Sequence, residues 1–373
     1  MNIPLSSPDI TEAEIAAVTA VLRTSRLSLG PQMESFERAF AEYIGTSRAV
    51  AVSSGTAGLH LCIRALNIGE GDEVIVPSFT FIAAANVIRY ERATPVFVDI
   101  DAESLNLSPA SIEASITPRT RAILAVHTFG RPAEMDAILD IARRHRLAVI
   151  EDACEAIGAE YNGRKAGSFG AAAVFAFYPN KQITTGEGGM VVTQRPGLAK
   201  RIRALRNQGR YDGSDWLQHA ELGYNYRLPE INCALGLAQL ERIDEILERR
   251  ERVARLYQKY LTGKDGLILP ALQAPRSRIS WFVYVVRLDT TFTEDDRNNI
   301  VAKLQAAGIG CGRYFAPIHM QPSYAPWRTA ALPATESQAR RTIALPFFNR
   351  ITENEIAHVC AALREALHNV RRS

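Results

Sequence analysis

From residue 49 to about residue 195 the chain alternates between two rhythms. Short, largely apolar runs at residues 49–52, 73–76, 96–98, 122–126 and 147–150 have the length of single strands. Stretches with helical spacing at residues 57–66, 82–89, 108–115 and 132–145 separate them. Strands that are apolar at successive positions, rather than at every second one, have both faces buried. Alternating with helices, they predict an α/β fold with a mainly parallel sheet covered on both sides. Two further apolar runs, 171–177 and 190–193, flank a glycine-rich turn that carries Lys181. Asn162-Gly163, between 160–161 and 164–165, predicts a two-residue hairpin, with Lys165 as its exposed charge.

The ends of the chain differ from this centre. Pro4 and Pro8 predict an extended arm over residues 1–10. Thr11 and Glu14 fit a capping box, and Ile15, Val18 and Leu22 fall on one face of the helix that follows. A loop at 29–31 leads to a second helix over 34–43. Pro229 opens a long helical stretch to about Tyr260. Its first half is apolar (Cys233, Leu235, Leu237, Leu240), and its second half is charged with a stripe at Ile243, Ile246 and Leu247. One helix leaving one core and entering another would look like this. Beyond Gly263 the order changes to strand 282–288, helix 294–307, strand 310–315 and helix 353–370, a small α+β unit. The expected division is a large domain over 1–240, with the arm and first helix, and a smaller C-terminal domain over 241–373 entered through the long helix.

Composition narrows the function class. The 373 residues are 47% hydrophobic and 22% charged, enough for a sizeable core. Net charge is only +3, and no basic block is interleaved with aromatics, so nucleic acid and membrane surfaces are not expected partners. Cys62, Cys154, Cys233, Cys311 and Cys360 lie far apart without a CxxC pair, so neither a metal site nor a disulfide framework is expected. The N-terminus lacks the pattern of a signal peptide, and no apolar run approaches the ~20 residues that span a bilayer. A cytoplasmic protein is the expectation.

Three features carry candidate chemistry. Lys181 lies between two core strands, where burial favours a neutral, nucleophilic amine; the alternative is a surface lysine whose stem covers apolar area. AVAVSSGTAGLH, starting at Ala49, turns at Ser53-Ser54-Gly55 from strand to helix, and the N–H groups and dipole there suit a phosphate, although the same residues also serve as an ordinary helix cap. LAVIEDACEA, starting at Leu147, ends a buried strand in Glu151-Asp152, at the carboxyl edge where parallel sheets bind ligands. A phosphate cradle, an acid for a protonated ring nitrogen and a Schiff-base lysine together are what pyridoxal phosphate requires. In PSFTF, Phe79 or Phe81 could cover the ring, and the other would be core. Arg210, Tyr211 and Tyr314 are candidate substrate contacts, and His127 stands at a strand end.

With these motifs, and with FYPNKQITTGEGG, LGYNYRLPEINCALGLAQL and PIHMQPSY, the sequence resembles the pyridoxal-phosphate sugar aminotransferases of the DegT/DnrJ/EryC1/StrS family over nearly its whole length. The resemblance implies a fold-type I, aspartate aminotransferase-like enzyme with a mostly parallel seven-stranded sheet in the large domain. It implies Lys181 as the lysine that binds the cofactor aldehyde, Asp152 on the pyridine nitrogen, Gly55, Thr56 and Ala57 at the phosphate, and Phe81 on the ring. It implies Asn225 reaching the neighbouring subunit's cofactor, hence a homodimer with shared sites, and His319 near the sugar. Two positions depart from the family. Ala176 stands where serine often donates to the phosphate. Glu155 stands where glutamine or histidine faces the phenolic oxygen, so it is expected to be protonated, turned away or paired with a cation. The implied activity moves an amino group from L-glutamate or glutamine to a keto sugar, nucleotide-linked, in amino-sugar biosynthesis. An aminocyclitol (keto-inositol) aminotransferase would use the same site. A branch that removes a sugar hydroxyl carries histidine in place of Lys181, and a cofactor-binding regulator would need no catalysis at all.

Overall fold

The computed structural model describes residues 2–264, 266–327 and 331–371. Its central sheet is formed by β1 (Arg48–Val52), β2 (Glu73–Pro77), β3 (Thr94–Val98), β4 (Thr120–Val126) and β5 (Ala148–Asp152). After a small hairpin, β6 (Glu160–Tyr161) and β7 (Arg164–Lys165), it is completed by β8 (Ala172–Ala176) and β9 (Gly189–Thr193). The seven strands lie in the order β1-β9-β8-β5-β4-β2-β3. Only β9 runs against its neighbours, pairing antiparallel with β1 and β8. The rest of the sheet is parallel, as expected.

Both faces of these strands are buried, which is why their sequences are continuously apolar. Val50, Val52, Val174 and Val191 pack on one face, with residues of α3 (Gly55–Ala65). To name the helices in chain order, α1 is Glu12–Leu22, α2 is Pro31–Ile44 and α4 is Ala83–Tyr90. Then come α5 (Pro109–Ala114), α6 (Met135–His145) and α7 (Pro196–Arg206). Ala49, Ala51, Phe175, Met190 and Val192 face the other side, against Phe36 and Phe40 of α2. The glycine turn of the small hairpin behaves as its sequence demands: Asn162 (φ 49°) and Gly163 (φ 73°) are both left-handed. Lys165 is not a free surface charge, however; its amine is 3.3 Å from Glu160 and lies over the Tyr43 ring.

Three expectations need correction. The helix after Pro229 is two helices, α8 (Glu230–Glu241) and α9 (Ile243–Leu261), broken at Arg242 (φ −103°, ψ 12°). The Arg242 guanidinium is held there by Glu14 at 2.7 Å and by Glu245 at 3.2 Å, interactions invisible to helical periodicity. The capping box of α1 forms, but Ile15 and Leu22 are exposed, because α1 buries Glu14 and Val21 against α8 instead. Residues 310–315 make only an isolated bridge, Gly312 to Ala344. The second sheet consists of β10 (Leu267–Ile268), β12 (Tyr284–Leu288) and β13 (Thr342–Leu345), all antiparallel, while β11 (Ser277–Arg278) extends the small hairpin. Helices α10 (Glu294–Ala306), α11 (Pro333–Ala339) and α12 (Glu353–Arg371) complete the C-terminal part. The core of this sheet includes Tyr257, Tyr284, Val286, Ile343 and Leu363, and also Ile3 from the N-terminal arm.

One buried carboxylate orders the entry to the large sheet. Glu230, at the start of α8, accepts the N–H groups of Gly30, Gln32 and Met33 at 3.0, 2.8 and 3.0 Å. It thereby caps α2 from 200 residues away, a role a local motif search cannot find. Among the described residues no helix is long and apolar enough to cross a membrane.

Candidate active site

A cavity of about 500 Å³ opens where the carboxyl ends of β4, β5 and β8 meet the start of α3. Ser54 caps α3, accepting the Ala57 N–H on its Oγ at 3.0 Å. Ala57 therefore donates to the cap, and it is Gly55 and Thr56 that line the cavity. Their N–H groups belong to the first turn, whose donors have no intrahelical acceptor. Two glycines let the backbone pack this closely. A Cβ on Gly55 would lie 2.7 Å from the Ala176 Cβ and 2.9 Å from the Cys154 Sγ, and one on Gly189 would lie 2.7 Å from the Ser54 carbonyl carbon.

Lys181 sits in the connection between β8 and β9. That connection is tied at its base by Phe177 N–H to the Gly188 carbonyl (2.9 Å) and Thr185 N–H to the Phe177 carbonyl (3.0 Å). The Lys181 side chain is only 14% exposed, which removes the surface-lysine alternative. Its amine lies 3.6 Å from Glu155 Oε1 and 3.9 Å above the Phe282 ring. Phe282 precedes β12 and closes the cavity from the C-terminal part of the chain.

Asp152 ends β5 in register with Val126 and Val174, and its Oδ1 accepts the Cys154 N–H at 3.1 Å. Glu151, one residue earlier, points to the opposite face of the sheet and is fully buried. It accepts N–H groups from Gly167, Phe169 and Gly170 and pairs with His127 Nε2 at 3.0 Å. His127 Nδ1 accepts the Ala133 N–H, which assigns the ring proton to Nε2. His127 is thus scaffolding and does not line the cavity. Glu155 does line it, and the expectation of a cation partner is met by Lys181. Burial pushes the Glu155 carboxyl above its usual range, opposed by Lys181 and by the Phe129 N–H, 2.8 Å from Oε2.

Phe81 and Phe79 separate cleanly. Phe81 is 63% exposed at the cavity, whereas Phe79 is buried among Ile100, Leu105, Phe129 and Phe315. Ala176 and Tyr314 also line the cavity, with the Tyr314 ring stacked on Phe315. His319 does not. It is buried behind the wall, its Nδ1 2.6 Å from Ser78 Oγ and its Nε2 3.4 Å from Glu336, because the 3₁₀ turn that carries it packs under β2. Arg210 is likewise outside, bonded to the Trp216 carbonyl and Asn207 and lying over the Trp216 ring. Tyr211 donates to Glu221. Asn225 bridges to Asn207, and its neighbours Tyr224 and Tyr226 stack on each other. Tyr224 donates to Glu91, and the Tyr226 hydroxyl lies 3.2 Å from His60 Nδ1. Asn225 therefore projects from an anchored segment that is not part of this chain's own cavity.

Sequence reasoning missed Asn180, Glu187, Phe282 and Phe315 in the lining. Asn180 adjoins Lys181 and could have been found by position; its Oδ1 is buried without a partner, an acceptor left for a ligand. Phe282 and Phe315 come from sequence-distant segments with no local signal. Together the site offers a buried amine, an acid at a strand mouth, an anion-binding helix start and an aromatic lid, a set that fits a phosphorylated aromatic aldehyde.

Comparison with known proteins agrees. The chain is 43% identical over 367 residues to the GDP-perosamine synthase of Caulobacter vibrioides, covering 98% of each. It superposes on the crystal structure of S. venezuelae DesV, in complex with a ketimine intermediate, with TM-score 0.90 at 38% identity over 98% of each chain. The PMP form of Spr1654 from Streptococcus pneumoniae gives TM-score 0.95 at 28% identity, covering 100% of this chain and 99% of that one. Residues 8–364 match the DegT/DnrJ/EryC1/StrS aminotransferase family, and with such coverage the chain belongs to that family: it is a transaminase of fold-type I architecture.

Proposed function

We propose that the protein moves an amino group from L-glutamate or glutamine to a keto sugar carried by a nucleotide, using pyridoxal phosphate. The observation that carries this reading is the placing of Lys181 and Asp152 on one cavity beside the start of α3. The names of the relatives support the sugar and the nucleotide, GDP-perosamine synthase most directly. When bound, pyridoxal phosphate supplies an electron sink for the charge that develops at the amino carbon.

The chain's own residues supply the rest. Gly55 and Thr56, at the positive end of α3, would hold the phosphate through their N–H groups, while Asn180 Oδ1 would accept from a donor group of the bound ligand. Asp152 would pair with the protonated ring nitrogen, Phe81 would cover the ring, and Glu155 would face the phenolic oxygen. Lys181 Nζ would hold the cofactor at its aldehyde carbon and, as a free amine, would take up the proton from the donor's Cα and hold it at Nζ. Tyr314 and Phe282 form the wall toward the sugar. In a homodimer Asn225, with Arg210 on the same surface segment, would reach the neighbouring subunit's site. Residues 1–240 would then carry the cofactor and residues 241–373 would cover it.

The test is optical. Protein purified with the cofactor should be yellow, and L-glutamate alone should bleach it with release of one 2-oxoglutarate per site. Lys181→Ala should not turn over. A screen of nucleotide-linked keto sugars, GDP-linked ones first, read by mass, would identify the acceptor. Protein that holds the cofactor yet ignores every amino donor would refute the reading.

A further inference from the structure

Glu155 and Lys181 form a pair that the anchoring of a cofactor does not require. The two side chains are 10% and 14% exposed, and Oε1 and Nζ are 3.6 Å apart. Glu155 cannot swing away easily. Its Oε2 accepts the Phe129 N–H at 2.8 Å, and its own carbonyl accepts Gln182 Nε2 at 2.6 Å. From the end of β5, Asp152 and the Cys154 thiol face the pair; Tyr314 faces it from the opposite wall, and among the described residues lining the cavity Lys181 is the one cation. Both side chains are mostly covered at the wall of the cavity, where the two groups act as one coupled unit. A carboxylate in bulk water would never compete for an ammonium proton. Here burial raises the Glu155 carboxyl above its usual range.

We propose that Glu155 is the proton partner of Lys181, taking the ammonium proton so that the released lysine is a free amine. This deepens the functional reading above and rests on it for its catalytic consequence. One N–H bond at Nζ breaks as one O–H bond at Oε1 forms; lysine goes from +1 to neutral, glutamate from −1 to neutral, and no electrons change hands. A glutamine at this position could hold the same shape but could not receive the proton.

The experiment labels the amine directly. The full-length protein, stripped of cofactor, is acetylated with trace acetic anhydride from pH 5 to 11, and the Lys181 peptide is quantified by mass. A shared proton makes the amine appear in two steps, since the pair titrates as a unit. Glu155→Gln, which cannot receive the proton, should give a single step. Glu155→Asp, which keeps a titratable group on a shorter stem, should restore two steps, and it stands in should the glutamine variant not fold. A single step at one common midpoint in all three proteins would overturn the proposal. Two steps in a protein that transfers no amino group would sink the functional reading alone. An active transaminase with one step would sink the proton partner alone.

Discussion

Gly189→Ala is the sharpest probe of the cradle, because it acts without touching a side chain of the site. Gly189 opens β9 opposite Val52, and the Cβ it would gain meets backbone: the Ser54 carbonyl carbon at 2.7 Å, the Gly55 nitrogen at 2.8 Å and the Ser54 oxygen at 2.8 Å. Backbone cannot rotate aside as a side chain can. Restoring ordinary contact near 3.5 Å moves the turn by roughly 0.5–1 Å. Overpacking of this kind costs about 1–3 kcal/mol of stability. The same movement displaces the Gly55 and Thr56 N–H groups from a bound phosphate. Losing one hydrogen bond to a charged group, about 1.5–3 kcal/mol, weakens cofactor binding about ten- to hundredfold. Absorbance titration of the stripped protein with pyridoxal phosphate measures the second effect, and thermal unfolding the first. Gly197→Ala is the control: its Cβ in α7 meets nothing within 4 Å, so neither quantity should fall. A Gly189→Ala protein that binds the cofactor like the parent would refute the idea that the turn holds the phosphate.

Other expectations follow from the same geometry. Glu230→Ala strands three N–H groups at the start of α2 and should cost about 2–4 kcal/mol in urea unfolding, with Glu230→Gln recovering part of it; an unchanged midpoint would rule out the long-range cap. Burial alone would raise Glu14, but hydrogen bonds from Thr11, Gln239 and Arg242 outweigh it and bring the carboxyl down to about 2. Its folded value lies below the unfolded one of 4.5, so its contribution, at most about 3 kcal/mol, is complete above that pH and lost as pH falls toward 2. Glu14→Gln should flatten the acid limb of a stability–pH profile, and an identical slope in both proteins would count against this. Ala176→Ser adds a hydroxyl at the cavity beside Gly55 and should tighten cofactor binding about tenfold, measured by the same titration.

What could be read from the chain was local, and what could not was distant. The strands and their burial on both faces were legible because each is a short apolar run between helical ones. The Asn162-Gly163 turn was legible because few residues accept left-handed φ at two successive positions. Lys181, Asp152 and the Ser54–Thr56 turn were legible because each stands at the end of its own strand. The choice between Phe79 and Phe81 was not, since it depends on what Ile100, Leu105 and Phe315 cover. Nor was the break at Arg242, where tertiary partners Glu14 and Asp9 compete with a pattern that favours continuing the helix. His319 was misplaced because a motif gives proximity but not orientation; its ring turns to Ser78 rather than to the cavity.

The single reversed strand has a consequence for how new specificities can arise on this frame. Because β8 and β9 are hydrogen-bonded neighbours running in opposite directions, the span bearing Lys181 is a closed bight with both feet nailed to the middle of the molecule. Its amine can wander only as far as its own four-carbon stem allows. Phe282 and Tyr314 belong to another sheet's surroundings and lie outside that closed span. A lineage of such enzymes can therefore redraw the far wall for a different sugar while the reactive nitrogen stays where it was.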